Sequence, residues 1–246
     1  MSPTDHEATN RMPGQYTQQY LTDVLQWDVS TWQKALVHWD KVLNRMRQSD
    51  DAFDNLQALD IGARDGGLSL YLARQGVNVI CSDISAPSQK SQQLHRKYGV
   101  DAKVHYMEID ATAIPLADNS LDIVVFKSVL GAVGQNLGVP AIARAVSEMY
   151  RVLKPGGVLL FAENQQGSGF HRIARRCFRP WGQTWHYVSL AELEKLLSVF
   201  TEGEIETYGF FSCMKNDFPP LVLLDSLVCR KPSSTSHYMA FGHATK

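Results

Sequence analysis

Apolar runs that end in a polar residue alternate along this chain with stretches of helical spacing. The predicted order is a strand ending at Asp60, a helix over Leu68 to Gln75, a strand from Val77, a helix near Ser88 to Tyr98, and strands from Val104 and Leu121. Such alternation is typical of a parallel sheet that helices cover on both faces. The sequence therefore predicts an α/β fold.

The second half of the chain continues the pattern. Helical spacing over Ile142 to Leu153 ends at Pro155-Gly156-Gly157, and a fifth strand ends at Glu163-Asn164. Ser189 and Glu192 form a capping-box pattern ahead of a further helix. The remaining predictions are a sixth strand over Glu204 to Ser212, an apolar helix over Pro219 to Cys229, and a last strand over His237 to His243.

The first 55 residues have a different pattern. Ser30 and Gln33 form another capping-box pattern, and apolar residues then recur at helical spacing with an aromatic stripe, namely Trp32, Leu36, Trp39, Leu43 and Met46. We expect three parts: a disordered start over residues 1–14, a helical cap over the ligand edge of the sheet at 15–55, and the main domain at 56–246. An aromatic stripe is also what ordinary core packing produces, so that alternative stays open.

Composition narrows the possible partners. The chain has 246 residues and a formal net charge of −1, which gives no global electrostatic reason to expect a nucleic acid or an anionic membrane as partner. The four cysteines are far apart and form no metal-ligand spacing, so we expect no metal and reduced cysteines in a cytoplasmic protein. Neither a signal peptide nor a membrane span is predicted.

The turn after the first predicted strand carries the chemistry. Asp60 and Asp83 end two neighbouring strands, and between them lies the glycine-rich turn from Gly62 to Gly67. Glycine allows a backbone to approach a ligand closely, and a carboxylate after the second strand can accept both hydroxyls of a ribose. A nucleotide-like cofactor is expected. The turn lacks the G-x-G-x-x-G spacing of dinucleotide sites, which disfavours a nicotinamide dinucleotide.

Four segments in this order resemble the class I S-adenosylmethionine-dependent methyltransferases: 59–66, 81–85, 108–111 and 152–161. The resemblance implies a Rossmann-like seven-stranded sheet that is mostly parallel with an antiparallel last strand, and S-adenosyl-L-methionine as cofactor. It places an acidic residue, Asp110, against the adenine amino group. The cofactor-binding residues it implies are Asp60, Gly62, Arg64, Gly66, Asp83, Ile84, Asp110, Ala111, Lys127 and Ser128.

One position departs from the family pattern. Arg64 stands where the family has the middle glycine of the first motif. Its guanidinium could pair with the methionine carboxylate of the cofactor, because arginine makes paired hydrogen bonds to carboxylates. Equally, it could point to solvent.

Methyl transfer from a sulfonium needs mainly alignment, but a hydroxyl acceptor benefits from a general base. His186 and His171 are the candidate bases because they follow the fifth strand and histidine titrates near neutral pH. Either could instead be a loop histidine without a chemical role.

The acceptor is less well defined. The predicted elaborations at 165–188 and 213–233 lie on the substrate side, and the first contains a basic helix face formed by Arg172, Arg175, Arg176 and Arg179. That face could hold an anionic acceptor or simply be solvated; too few stacking aromatics accompany it to favour RNA. We expect methyl transfer to the hydroxyl of a small-molecule, glycan or lipid-linked acceptor. The alternatives are a cofactor-binding protein with lost or altered transfer and, less favoured, an NAD-dependent oxidoreductase. The oligomeric state stays open.

Overall fold

The computed structural model describes residues 16–49, 53–178, 185–215, 217–229 and 234–246. Within these ranges the strands are β1 Gln57–Ile61, β2 Asn78–Asp83, β3 Val104–Glu108, β4 Leu121–Lys127, β5 Leu153–Asn164, β6 Glu202–Tyr208 and β7 Met239–Thr245. The helices are α1 Gln18–Leu25, α2 Val29–Ser49, α3 Gly67–Ala73, α4 Gln89–Lys97, α5 Leu130–Leu137, α6 Val139–Val152, α7 Gly169–Phe178, α8 Leu190–Leu197 and α9 Pro219–Val228.

The strands form one sheet in the order β3-β2-β1-β4-β5-β7-β6. Only β7 runs antiparallel to its neighbours, and the other six strands point the same way. This confirms the predicted Rossmann-like sheet with an antiparallel last strand. The strand order reverses between β1 and β4, and a crevice for ligands opens at the carboxyl ends of the strands at such a point.

Alternate residues of each central strand enter two separate cores. In β4, Ile123 and Val125 face the core that α2 and α3 cover, while Val124 and Phe126 face the core that α6 and α8 cover. A parallel sheet buried on both faces requires this pattern, because successive side chains point to opposite faces. None of the described helices is long and apolar enough to cross a membrane.

The N-terminal helices are present, but α2 begins differently from the capping-box prediction. The carboxylate of Asp217 accepts hydrogen bonds from the backbone N–H of Val29 (3.1 Å) and of Ser30 (2.7 Å), so it caps the helix from a distant part of the chain. The Ser30 hydroxyl is buried and has no hydrogen-bond partner among the described residues. The prediction that Ser30 caps this helix is therefore wrong.

The aromatic stripe of α2 packs against the sheet. Trp39 is fully buried and its indole N–H donates to the carbonyl of Gly242 in β7 at 3.0 Å. The division of the chain into a cap at 15–55 and a main domain at 56–246 stays a prediction. The expected disordered start at 1–14 lies outside the described residues.

Elsewhere the predicted elements are present with shifted ends. The turn Pro155-Gly156-Gly157 lies inside β5, whereas we expected it to precede the strand. The helix α5 was not foreseen, since Gly131 and Gly134 weaken its helical pattern. The second capping box is confirmed, because Ser189 and Glu192 each bond the other's backbone N–H at the start of α8.

Candidate functional site

A cavity of about 920 Å³ opens at the carboxyl edge of the sheet. Its walls come from the ends of the parallel strands β1 to β5, from the segment between α1 and α2, and from the segment before α8. Small-molecule sites are commonly about 300 to 1,000 Å³, so the cavity can enclose a cofactor and part of an acceptor. The residues that line the cavity include Trp27, Asp28, Gly62, Arg64, Asp83, Ile84, Asp110, Ala111, Lys127, Ser128, Asn164, Trp185, Tyr187 and Tyr238.

Asp83 closes β2 with its carboxylate held by two backbone groups. Oδ2 accepts from the N–H of Arg64 at 2.9 Å, and Oδ1 accepts from the N–H of Ile84 at 2.8 Å. Each carboxylate oxygen can accept a second hydrogen bond, so the oriented carboxylate can still receive a pair of hydroxyls. This geometry fits the ribose of a nucleoside.

The turn after β1 brings the backbone close to that carboxylate. Gly62 has a φ of 67° and lines the cavity; a Cβ atom there would come within 2.7 Å of Cγ2 of Val129. Arg64 also adopts a positive φ, 51°, which is uncommon for a side chain other than glycine. The turn thus keeps the glycine-like backbone path even though Arg64 replaces the usual glycine.

Asp110 lies beyond the end of β3 on the same side of the cavity. Its Oδ1 accepts from both the N–H and the hydroxyl of Thr112, each at 2.8 Å. The other oxygen, Oδ2, can then accept from a ligand amino group. Ile84 and Ala111 add apolar wall nearby, so a planar base with an exocyclic amine fits this end.

Two predicted cofactor residues are buried and are not among the residues that line the cavity. Asp60 is 1% exposed, its Oδ2 accepts from the Ser69 hydroxyl at 2.7 Å, and burial raises its pKa to about 7. The carbonyl of Gly66 accepts from Nε2 of His95 at 2.9 Å, and a Cβ at Gly66 would collide with that ring. Both residues therefore stabilise the turn through contacts in the protein interior.

Two basic side chains flank the indole of Trp27. The guanidinium carbon of Arg64 lies 4.6 Å from the centre of the ring, and Nζ of Lys127 lies 3.4 Å from it. Lys127 also donates to the carbonyl of Leu25, and burial lowers its pKa well below the usual value. Because Arg64 and Lys127 both line the cavity, an anionic group bound near them would favour the charged form of the lysine and raise its pKa.

Asp28, between α1 and α2, was not singled out by the sequence. It is 5% exposed, and its Oδ2 accepts from the hydroxyl of Tyr238 at 2.8 Å. Its Oδ1 is buried and has no hydrogen-bond partner in the described part of the chain. Burial raises its pKa to about 6. A lone acid in a helix connection forms no motif, so only the folded structure reveals this carboxylate in the cavity wall.

Hydrogen bonds to the buried carboxylate of Glu163 fix the loop after β4. This carboxylate accepts from the N–H of Leu130 at 2.7 Å and from the N–H of Asn164 at 2.9 Å, and burial raises its pKa to about 7. The Asn164 amide then donates to the hydroxyl of Ser128 at 2.9 Å. The predicted residue Ser128 is thereby held at the cavity wall with a φ of 57°.

Neither candidate histidine is among the residues that line the cavity. His171 is fully buried; its Nε2 donates to the carbonyl of Phe210 at 2.9 Å and its Nδ1 accepts from the N–H of Ser168 at 3.0 Å. His186 lies 3.1 Å from the Glu192 carboxylate at the start of α8, while its sequence neighbours Trp185 and Tyr187 do line the cavity.

The basic face is only partly described. Arg172 is exposed on α7. The side chains of Arg175 and Arg176, and all of Arg179, lie outside the described residues.

Comparison with known sequences agrees with the motifs. A family model described as a methyltransferase domain matches residues 59–161. A malonyl-[acyl-carrier protein] O-methyltransferase from Enterobacter lignolyticus is 37% identical over 138 residues, which are 52% of this chain and 49% of that protein. The chain therefore spans about half the length of this curated relative.

Solved structures share the fold at low sequence identity. A methyltransferase from Thermotoga maritima, described as a possible histamine N-methyltransferase, has a TM-score of 0.54 and 20% identity and covers 78% of this chain and 83% of its own. The [4+2]-cyclase SpnF has a TM-score of 0.53 and 19% identity and covers 88% of this chain and 83% of its own. Proteins with this fold thus carry different named reactions, so the fold by itself does not identify the acceptor.

Proposed function

We propose that this chain, whose residues 59–161 match a methyltransferase domain, is a class I S-adenosylmethionine-dependent methyltransferase and transfers a methyl group to a hydroxyl oxygen of a small-molecule acceptor. One observation carries the proposal. The cavity lined by Asp83 and Asp110, whose geometry suits a nucleoside, is also lined by the buried Asp28, which has one carboxylate oxygen without a hydrogen-bond partner among the described residues.

The cofactor half of the cavity is assigned from its hydrogen-bonding capacity. Asp83 receives the ribose hydroxyls, and Asp110 receives the adenine amino group through Oδ2. Gly62 leaves room for the ligand beside the turn. Arg64 and Lys127 bind the methionine carboxylate, since both basic side chains line the cavity beside Trp27. S-adenosylmethionine supplies a methyl group already activated on its sulfonium.

Asp28 holds the proton that the acceptor hydroxyl releases. Its pKa of about 6 makes the carboxylate the main form at neutral pH while keeping it basic enough to take up a proton. The hydroxyl of Tyr238 orients the carboxylate through Oδ2. We assign this role to Asp28 instead of His171 or His186, because neither histidine lines the cavity.

The acceptor half of the cavity is aromatic and polar. Trp185 and Tyr187 enter the wall from the segment before α8, and Asn164 adds an amide. These groups suit a hydroxylated ring or chain of modest size. The similarity to an O-methyltransferase supports oxygen as the accepting atom. A glycan or lipid-linked acceptor, and an acceptor anion on the basic face, stay predictions.

A second candidate is a cofactor-binding protein that catalyses another reaction. Arg64 in place of glycine and the structural similarity to a [4+2]-cyclase favour it. An NAD-dependent oxidoreductase has no such support.

The test begins with calorimetric binding of S-adenosylmethionine and S-adenosylhomocysteine. Losing a hydrogen bond to a charged group costs about 1.5 to 3 kcal/mol, so Asp110→Asn should weaken binding roughly 10- to 100-fold. The matched control is Asp101→Asn, an exposed acid away from the cavity, which should bind like wild type. Unchanged affinity in Asp110→Asn would contradict the assigned adenine contact.

The acceptor is found by incubating the protein and isotopically labelled cofactor with a cell extract and following the label by mass spectrometry. Label in a methyl ether supports transfer to a hydroxyl oxygen. Label in a methyl ester would show transfer to a carboxylate oxygen, which contradicts the hydroxyl acceptor and the role of Asp28 as base. Cofactor binding without labelled product supports the second candidate. No binding of either cofactor form would overturn the proposal.

We also propose a cytoplasmic location. Cys81 and Cys229 are free thiols in the described part of the chain, and Cys81 is buried. Reduced cysteines are typical of that compartment. Fractionation of cells that produce the protein tests this.

A further inference from the structure

Two histidines and a glutamate converge at the junction of α2, β6 and β7. The residues are His38 of α2, Glu204 of β6 and His243 of β7, and one ligand atom from each lies within 4.8 Å of the other two. None of the three lines the cofactor cavity. We propose that they bind one divalent transition-metal ion, with zinc as the expected metal, and that this ion ties α2 to the β6–β7 edge of the sheet.

The sheet register explains why the three residues meet. Glu204 and His243 are directly opposite each other on the antiparallel strands β6 and β7. The helix α2 is held against β7 at the neighbouring residue Gly242, whose carbonyl accepts from the indole of Trp39. This contact places His38 next to His243, with 2.9 Å between Nε2 of His38 and Nδ1 of His243. Spacing along the chain hides this set.

The hydrogen bonds prepare both imidazoles for a metal. The carboxylate of Glu206 lies 2.7 Å from Nδ1 of His38 and accepts its N–H, so Nε2 of His38 carries a lone pair toward His243. Without a metal, one proton must lie between the two facing nitrogens. A metal ion replaces that proton and uses both lone pairs. Carboxylates that hold the far nitrogen of a ligating histidine are a regular feature of metal sites.

A zinc ion can replace the proton between the two imidazole nitrogens after a small movement of the rings. Zinc–nitrogen bonds of about 2.0 to 2.1 Å at a tetrahedral angle separate two nitrogens by roughly 3.3 Å. The two imidazole nitrogens therefore need to separate by only about 0.4 Å. Glu204 is exposed, so its carboxylate can turn toward the ion and solvent can supply a further ligand.

The charges around the site favour a cation. Glu202 and Arg45 act electrostatically on His243, in addition to Glu204. Together with Glu206, the charged side chains around the two histidines are three carboxylates and one guanidinium, so negative charge is in excess. Two imidazoles and a carboxylate suit zinc and neighbouring transition metals, whereas magnesium and calcium prefer oxygen ligands alone.

The experiment uses the full chain after treatment with a chelator. Zinc chloride should bind with one ion per chain in calorimetry and raise Tm, whereas magnesium chloride at the same concentration should not. Cobalt chloride should give the intense visible absorption of a low-symmetry site. Glu204→Gln changes an exposed side chain and should weaken zinc binding at least tenfold without changing the metal-free Tm. His243→Asn should weaken zinc binding further.

His105→Asn is the matched control, because His105 is an exposed histidine on β3 and should leave zinc binding unchanged. If wild type binds no zinc, the cluster is only a hydrogen-bonded network and the proposal is wrong. Zinc binding that Glu204→Gln and His243→Asn leave at wild-type strength would overturn it equally. Should His243→Asn fail to fold, Glu204→Gln decides alone.

Discussion

Replacing Asp28 with asparagine should stabilise the protein at neutral pH while it removes activity. Burial raises the pKa of Asp28 from 3.8 to about 6. One pKa unit corresponds to about 1.36 kcal/mol, so the ionised carboxylate costs the folded state about 3 kcal/mol relative to the unfolded chain. Asparagine is neutral at every pH, tolerates the φ of 50° at this position, and can still accept from Tyr238.

The sign of the pH dependence follows from the raised pKa. Below about pH 4 the carboxyl is protonated in both states and costs nothing. Between about pH 4 and pH 6 the folded state still holds the proton while the unfolded state releases it, so wild type loses stability as the pH rises. Above about pH 6 the cost is complete. The advantage of Asp28→Asn should therefore grow from pH 4 to pH 7 by up to about 3 kcal/mol.

Urea unfolding of wild type, Asp28→Asn and the exposed control Asp101→Asn across this range measures the difference. Carboxylates that do not interact with residue 28 titrate alike in all three proteins and cancel. With the acceptor identified, kcat of Asp28→Asn should fall roughly 10²- to 10⁴-fold, and wild-type kcat should rise with pH through about 6. A difference in stability that does not change with pH refutes the buried-charge argument. Wild-type kcat in the variant refutes the role as base.

Two further predictions concern the supports of the site. Asp217→Ala should lower the free energy of unfolding in urea by about 1 kcal/mol, because it removes the cap of α2. Ser30→Ala should be neutral or stabilising, because that hydroxyl is buried without a partner among the described residues. A larger loss of stability in Ser30→Ala than in Asp217→Ala would show that Ser30 caps the helix instead. Gly131→Ala should cost about 1 to 3 kcal/mol, since its Cβ would lie 2.0 Å from the indole nitrogen of Trp185, while Gly169→Ala, whose nearest atom is 3.8 Å away, should cost less; equal losses would contradict the packing argument.

The cofactor side of the site follows from local pattern and topology. Asp83 was predicted there because it ends an apolar run, and the carboxyl ends of parallel strands meet at one edge. Gly62, Asp110 and Lys127 line the cavity for the same reason. The residues Asp60 and Gly66 belong to the same motif, but they contact Ser69 and His95 and do not line the cavity, a difference that the motif alone does not show.

The residues on the acceptor side of the cavity could not be predicted in this way. His186 and His171 were chosen for their chemistry and their position after the fifth strand, yet hydrogen bonds to Glu192 and Phe210 hold both rings away from the cavity. Asp28 carries no local signal. Its raised pKa arises only when Tyr238, 210 positions away, and the surrounding core enclose it.

Sequence alone determined the alternation of strands and helices, the sheet class, the cofactor motifs and the second helix cap. These depend on interactions between residues a few positions apart, or on the fixed direction of strands in a parallel sheet. Only the tertiary structure decided the cap of α2 by Asp217, the burial of Asp28 and the meeting of His38 with His243. Solvation and hydrogen bonding of a side chain depend on neighbours that folding brings from anywhere in the chain, and no spacing along the sequence encodes them.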